Sequence, residues 1–214
     1  MAHNAKNQSE HLARGVDHAA FPTFDPIETV RFYHEILGFP IVHSVCAVGW
    51  GPSDHPDFVH FFFDIGKGDR LAFFYYFGVE RFSPDGDAYA THGPDVPGFF
   101  RDSRHLAIHL DSVEVLDEYR RRLETNGWRV EMQVKHETIE SIYTHDPNGY
   151  LVEFTYPTRD TTKVDDEDAE LTVRALLDVV RSSEKPSLAA LWERKAELIV
   201  QQDNDGRLLP EPAQ

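Results

Sequence analysis

The chain has 214 residues, 41% hydrophobic and 12% aromatic, which suffices for a sizeable core, and a formal net charge of −16. That charge argues against nucleic acid or an anionic membrane surface as partner, since phosphate recognition needs a basic surface. No apolar run reaches membrane-spanning length, the opening MAHNAKNQSEHLARG is polar, and Cys46 is the lone cysteine, so no intrachain disulfide can form and a soluble cytoplasmic protein is expected.

Residues 1–15 read as a loose polar arm. A strand follows over 16–24, with His18, Ala20 and Pro22 on one face. Asp25-Pro26 supplies an N-cap and a proline at the first helical position, PIETVRFYHEIL has helical spacing, and Gly38 is placed as the C-cap. Strands are expected over 40–50, 58–65 and 70–77, with a loop at 51–56 and a turn at 66–69. Residues 78–103 lack periodicity and read as a long connection, whose aromatics Phe82, Tyr89, Phe99 and Phe100 either anchor it on the body or serve as a substrate lid. The order then repeats: a strand over 104–110 with His105, Ala107 and His109 on one face, a helix opened by Ser112 and closed by Gly127, and strands over 129–135, 139–144 and 149–156. Asn148-Gly149 marks the last hairpin, because both residues tolerate positive φ. Thr158 to Asp168 is polar and acidic and reads as a linker, and two amphipathic helices are expected over 170–181 and 186–202 before a polar tail.

The fold class is therefore α+β: two βαβββ modules, 16–77 and 104–157, joined by the connection 78–103 into one domain over 16–157, with a helical extension over 158–214. Superposing the modules sets His18 opposite His105, and matches Leu151-Val152-Glu153-Phe154 with Leu71-Ala72-Phe73-Phe74, so Glu153 stands opposite Phe73. A carboxylate in so apolar a strand is solvated, ion-paired or bound to a metal. Two imidazoles and one carboxylate at repeat-equivalent positions form a facial ligand set for a divalent metal, and Phe73, which cannot ligate, leaves positions open for substrate. The remaining histidines, His34, His43, His60, His109 and His145, are expected in packing or surface roles, and Cys46 as a small core residue.

The paired modules, opened by VDHAAF and RHLAIHL and closed by THDPNGYLVEF, resemble the vicinal oxygen chelate superfamily over roughly residues 16–157. The resemblance implies that the modules form a paired half-barrel around a metal held by His18, His105 and Glu153. Within the superfamily the ligand pattern is most similar to type I extradiol dioxygenases. Those also carry a Tyr ten residues before the Glu ligand, which is Tyr143 here, and an acid/base His near that hairpin, for which His136 stands. One family His, at the start of the first module's last strand, is replaced by Asp69-Arg70. Glyoxalase I and methylmalonyl-CoA epimerase carry a fourth ligand where Phe73 was aligned, and fosfomycin-modifying enzymes carry a Thr where Ala20 stands.

Three functions follow from the resemblance. The first is a non-haem Fe(II) dioxygenase acting on a catechol-like or other bidentate oxygen substrate, with His136 as proton shuttle and Tyr143 as hydrogen-bond donor. The second is redox-silent catalysis by Mn(II), Zn(II), Ni(II) or Mg(II), as an isomerase, lyase or thiol transferase of glyoxalase or fosfomycin type. The third is a non-catalytic small-molecule binding protein of the resistance kind. The C-terminal helices, with Leu171, Ala175, Leu176, Val179, Leu188, Leu191 and Leu198 as apolar positions, either pack on the chain's own body, cover the site or make a dimer contact, and a homodimer is the expectation taken.

Overall fold

A computed structural model describes residues 16–49, 55–79, 103–182 and 185–204. The N-terminal arm, Trp50 and residues 51–54 of the loop after it, the aromatics assigned to the long connection and the polar tail lie outside the described residues.

The first module runs β1 (His18–Thr23), α1 (Pro26–Val30), β2 (Ile41–Ala47), β3 (Phe58–Gly66) and β4 (Asp69–Tyr76). The second runs β5 (His105–His109), α2 (Val113–Thr125), β6 (Met132–Lys135), β7 (Ile139–His145) and β8 (Leu151–Pro157). Each forms a four-stranded mixed sheet, in the orders β1-β4-β3-β2 and β5-β8-β7-β6. In each the first strand lies parallel to the last, and the other pairings are antiparallel. The expected α+β fold of two βαβββ modules is what forms, with a pair of C-terminal helices.

The helix signals act where the sequence placed them. Asp25 Oδ1 accepts the Glu28 N–H at 3.0 Å, with Pro26 at the first helical position. Past Val30 the helix changes winding: Arg31–Ile36 is a π-helical segment, closed by Leu37 N–H donating back to Phe32 O at 3.0 Å. The looser winding buries two adjacent pairs, Phe32 with Tyr33 and Ile36 with Leu37. At Gly38, φ is +84°, and the next N–H, of Phe39, reaches Tyr33 O at 3.0 Å. A Cβ on Gly38 would stand 2.9 Å from Arg122 Nη1, which donates to Leu37 O at 2.8 Å. Gly38→Ala is therefore expected to cost about 1 kcal/mol or more in urea denaturation, from the positive φ and the displaced Arg122.

The β7–β8 turn differs from the expectation. Asn148 does not take a positive φ; only Gly149 does, at +86°. Gly149 N–H donates to Asp146 O at 3.0 Å, so Asp146-Pro147-Asn148-Gly149 is a four-residue turn with proline second and glycine last, and the Asn148 side chain is free for another task.

The two modules share one core. Phe32, Tyr33, Phe63, Leu71 and Phe73 of the first join Leu116, Leu123, Ile142, Val152 and Phe154 of the second. Rings cross the boundary: Phe32 meets Trp128 at 4.7 Å between centroids, and Phe21 meets Tyr150 at 4.8 Å. A buried polar network clasps the same boundary. Tyr33 donates to Asp146 Oδ2 at 3.0 Å, Thr23 donates to Asn148 Oδ1 at 2.8 Å, and Asn148 Nδ2 donates both to Thr29 Oγ1 at 3.1 Å and to Asp146 Oδ2 at 3.0 Å. Asp146 Oδ1 also accepts the backbone N–H groups of Asn148 at 2.8 Å and Tyr150 at 2.9 Å.

The compact units divide between Thr158 and Arg159. The second contains α3 (Lys163–Ser182) and α4 (Leu188–Asn204), joined by a short connection. Helix α3 begins inside the stretch expected to be a linker. Asp165 Oδ2 accepts the Thr162 N–H at 2.7 Å, and Asp165 and Asp166 occupy the first turn, where the helix dipole favours negative charge. The acidity that read as a solvated linker is thus a helix start. Leu171, Ala175 and Leu198 form the small core of this unit, with Leu191 partly buried against it. No helix among the described residues is long and apolar enough to cross a membrane.

Candidate functional site

Strand alternation gives each sheet a face toward its helix and a face away from it. In the second module, pairing of Ala107 with Glu153 and of Glu153 with Tyr143 puts His105, Glu153 and Tyr143 on the face away from the helix. Their side chains meet there. His105 Nε2 lies 2.8 Å from Glu153 Oε2, and the Tyr143 hydroxyl donates to Glu153 Oε1 at 2.9 Å. His136 Nε2 lies 3.2 Å from the same hydroxyl. The result is a line from His105 through Glu153 and Tyr143 to His136. Glu153 is 3% exposed, so the carboxylate is neither solvated nor unpaired. Burial, then the hydrogen bond from Tyr143 to Glu153, raises the phenol above its ordinary range, keeping it protonated at neutral pH.

His18 occupies the equivalent place in the first module, but in different company. Its Nδ1 is 2.7 Å from Asp17 Oδ1, and Asp17 also pairs with Arg70. Its ring packs edge-on against Phe62 at 5.3 Å and His60 at 5.9 Å between centroids. Among the described residues no three His, Cys, Asp or Glu side chains are gathered closely enough to hold a metal ion. Four of the five expected site residues therefore form one cluster, and His18 stands apart from it.

The register corrects the superposition of the modules. His18 pairs with Arg70 and Ala20 with Ala72, just as His105 pairs with Leu151 and Ala107 with Glu153. The counterpart of Glu153 is thus Ala72, not Phe73. Phe73 points to the helix side and is fully buried, its ring 5.1 Å from that of Tyr33. The run Leu71-Ala72-Phe73-Phe74 is apolar throughout, so its hydrophobicity could not reveal the register. Ala72, like Phe73, has no atom that could ligate a metal. Phe61 and Phe63 likewise belong to the core, and Tyr75 packs against it.

His60, expected in a packing or surface role, packs. It is 7% exposed, lies flat on Phe74 at 3.6 Å, and its Nδ1 is 3.2 Å from Phe73 O. Burial pushes its pKa down, outweighing the carbonyl contact, so the ring is neutral near pH 7. With Nδ1–H on a carbonyl, Nε2 carries the lone pair. His60 is even-numbered, as is Phe62, while the core residues Phe61 and Phe63 are odd, and the almost unbroken aromatic strand hid which face of the sheet it packs on. Cys46, expected in the core, is exposed.

The donor chemistry fits a divalent cation. Glu153 is a buried carboxylate already in contact with one imidazole, and Asp17 holds His18 by Nδ1, the arrangement that turns Nε2 into a metal-ligating lone pair.

The family model of the Glyoxalase/Bleomycin resistance protein/Dioxygenase superfamily matches residues 15–154. Solved structures similar to this chain include a glyoxylase/bleomycin resistance protein/dioxygenase domain from Frankia sp. EAN1pec, at 17% identity and TM-score 0.49, covering 70% of this chain and 96% of that one. A lactoylglutathione lyase from Agrobacterium tumefaciens is similar at 20% identity and TM-score 0.44, covering 67% and 94%. TnmS3, an antibiotic binding protein from Streptomyces sp. CB03234, is similar at 19% identity and TM-score 0.45, covering 69% and 99%. No curated protein matches.

Proposed function

The chain belongs to the Glyoxalase/Bleomycin resistance protein/Dioxygenase superfamily, and from that premise we propose a metal-dependent enzyme of the extradiol dioxygenase type, acting on a catechol-like or other bidentate oxygen substrate. The observation that carries it is Glu153, a buried carboxylate held between His105 and Tyr143. His105 and Glu153, together with His18 once it is drawn in from where it stands apart, would hold a divalent cation, Fe(II) in this reading. That cation would supply a Lewis-acid centre for two neighbouring substrate oxygens and a route to O₂.

The protein's own groups handle protons. Tyr143, kept protonated, donates to whichever anionic oxygen replaces Glu153 as its acceptor. His136, in contact with the same hydroxyl, takes up or returns the proton. His60 adds a neutral base beside His18. A cytoplasmic setting, where Fe(II) stays reduced, belongs to the same reading.

One observation favours redox-silent catalysis instead. Where relatives of the dioxygenase type carry an oxygen-handling His, this chain has Arg70, bound to Asp17. The test is reconstitution of metal-free protein under anaerobic conditions with Fe(II), Mn(II), Zn(II), Ni(II) or Mg(II), followed by oxygen uptake with a panel of catechols. Oxygen uptake with Fe(II) alone supports the dioxygenase. Turnover without oxygen uptake moves the protein to the second reading, and ligand binding without retained metal moves it to a binding protein. Tyr143→Phe is expected to lower turnover about a hundredfold with metal content unchanged. Metal loss in that variant would confine the hydroxyl to holding Glu153.

A further inference from the structure

Helices α3 and α4 have more apolar surface than their mutual contact uses. The inner stripe, Leu171, Ala175 and Val179 on α3 with Leu198 on α4, is buried. A second set, Val173, Leu176 and Val180 on α3 with Leu188, Trp192 and Ile199 on α4, is between 38% and 62% exposed. At about 100° per residue, each outer stripe is rotated forward from the inner one by about 100° or more. The short connection makes the helices antiparallel, so the two rotations bring both outer stripes to the same side of the hairpin. The hairpin thus has one continuous apolar face.

We propose that this face pairs with the same face of a second copy of the chain, forming a four-helix bundle. The six side chains expose on the order of 600 Å² of apolar surface, close to the apolar share of the roughly 800 Å² per partner that a stable dimer buries. With only three residues in its own core cluster, the hairpin gains from the added cover.

Sedimentation of the full chain at micromolar concentration tests this. The expected mass is twice the 24.5 kDa of the single chain, and Leu176→Glu combined with Trp192→Glu is expected to return it to one chain with an unchanged circular dichroism spectrum. A wild-type monomer overturns the proposal and leaves the face to cover its own chain. A dimer that survives the double substitution, with the spectrum intact, overturns it as well. Should the double variant unfold, the single exposed substitution Ile199→Glu is read the same way, together with quenching of Trp192 fluorescence on dilution of the wild type. Quenching that does not rise with dilution from dimer to monomer overturns the assignment of Trp192 to the interface.

Discussion

Glu153→Gln is expected to reduce turnover at least a thousandfold, about 4 kcal/mol of transition-state stabilisation, and to leave the purified protein without stoichiometric metal. The substitution keeps the shape of a side chain that is 3% exposed and touches His105 and Tyr143. It removes only the charge and the second carboxylate oxygen, the properties a divalent cation requires. Metal-free protein should show no comparable loss of stability. Burying a carboxylate costs more than burying its amide analogue, a difference that the contacts with His105 and Tyr143 offset, so the metal-free variant should melt close to metal-free wild type. The two readouts, metal analysis and thermal unfolding of the metal-free forms, separate a ligand from a structural carboxylate. A variant that keeps its metal would end the case for Glu153 as a ligand. A variant that loses metal and also melts well below wild type would show that Glu153 holds the fold.

The second large effect lies at the clasp between the modules. Asn148→Ala strips partners from Thr23, Thr29 and Asp146 at once, all of them buried. At about 1 kcal/mol for each net hydrogen bond, and more for a polar group left unpaired in the interior, the cost is expected to be roughly 3–4 kcal/mol. Urea denaturation measures it, and a loss below about 1 kcal/mol would mean that water replaces the amide. The same clasp carries a pH signature. Burial raises Asp146 from 3.8 to about 6, against the pull of hydrogen bonds from Asn148, Tyr150 and Tyr33. Because the folded form holds the proton more tightly than the unfolded one, this contribution is complete below about pH 3.8 and is lost as pH rises through about 6. A shift of about two units corresponds to roughly 3 kcal/mol across that window. Asp146→Asn should flatten this part of the stability profile between pH 4 and 6.5, and an unchanged slope would assign it to other groups. The Tyr33 hydroxyl, buried and bonded to Asp146, can reverse its proton to accept from the acid form.

The architecture was legible because punctuation residues do local work that does not depend on tertiary context. Asp25-Pro26 starts a helix, Gly38 and Gly127 end two, and the repeated order of elements gives the modules. What was hidden shares one cause. Where every residue of a strand is apolar, the period-two signal vanishes. That is why Phe73 was matched with Glu153 although Ala72 faces the same way, and why the packing of His60 beside His18 left no mark in the sequence. The turn at Asn148-Gly149 was recognised and its geometry was not, because Pro147 imposes a longer turn and frees the asparagine to cross to the other module. Charge misled at α3, where carboxylates read as solvation serve a helix N-terminus. Among the site residues, His105, Glu153, Tyr143 and His136 were brought together by strand register, which a repeat alignment can follow. The surroundings of His18 depend on Asp17 and Arg70, whose pairing crosses 53 positions of sequence and leaves no local pattern.

The π-helical segment Arg31–Ile36 bears on how this chain tolerates insertions and deletions. Its extra residue per turn is what lets Phe32 and Tyr33 both reach the interior. Because the looser winding absorbs one residue, deleting one from the segment would restore ordinary winding and leave Gly38 and β2 in place. The cost falls on the segment itself: the adjacent buried pairs could not all keep their places, and the contact of the Tyr33 hydroxyl with Asp146 would be lost. In alignments of relatives, a gap at this helix should accordingly coincide with a different residue at the position of Tyr33 or of Asp146. A one-residue deletion here acts as a core mutation even when the residue lost is a surface one.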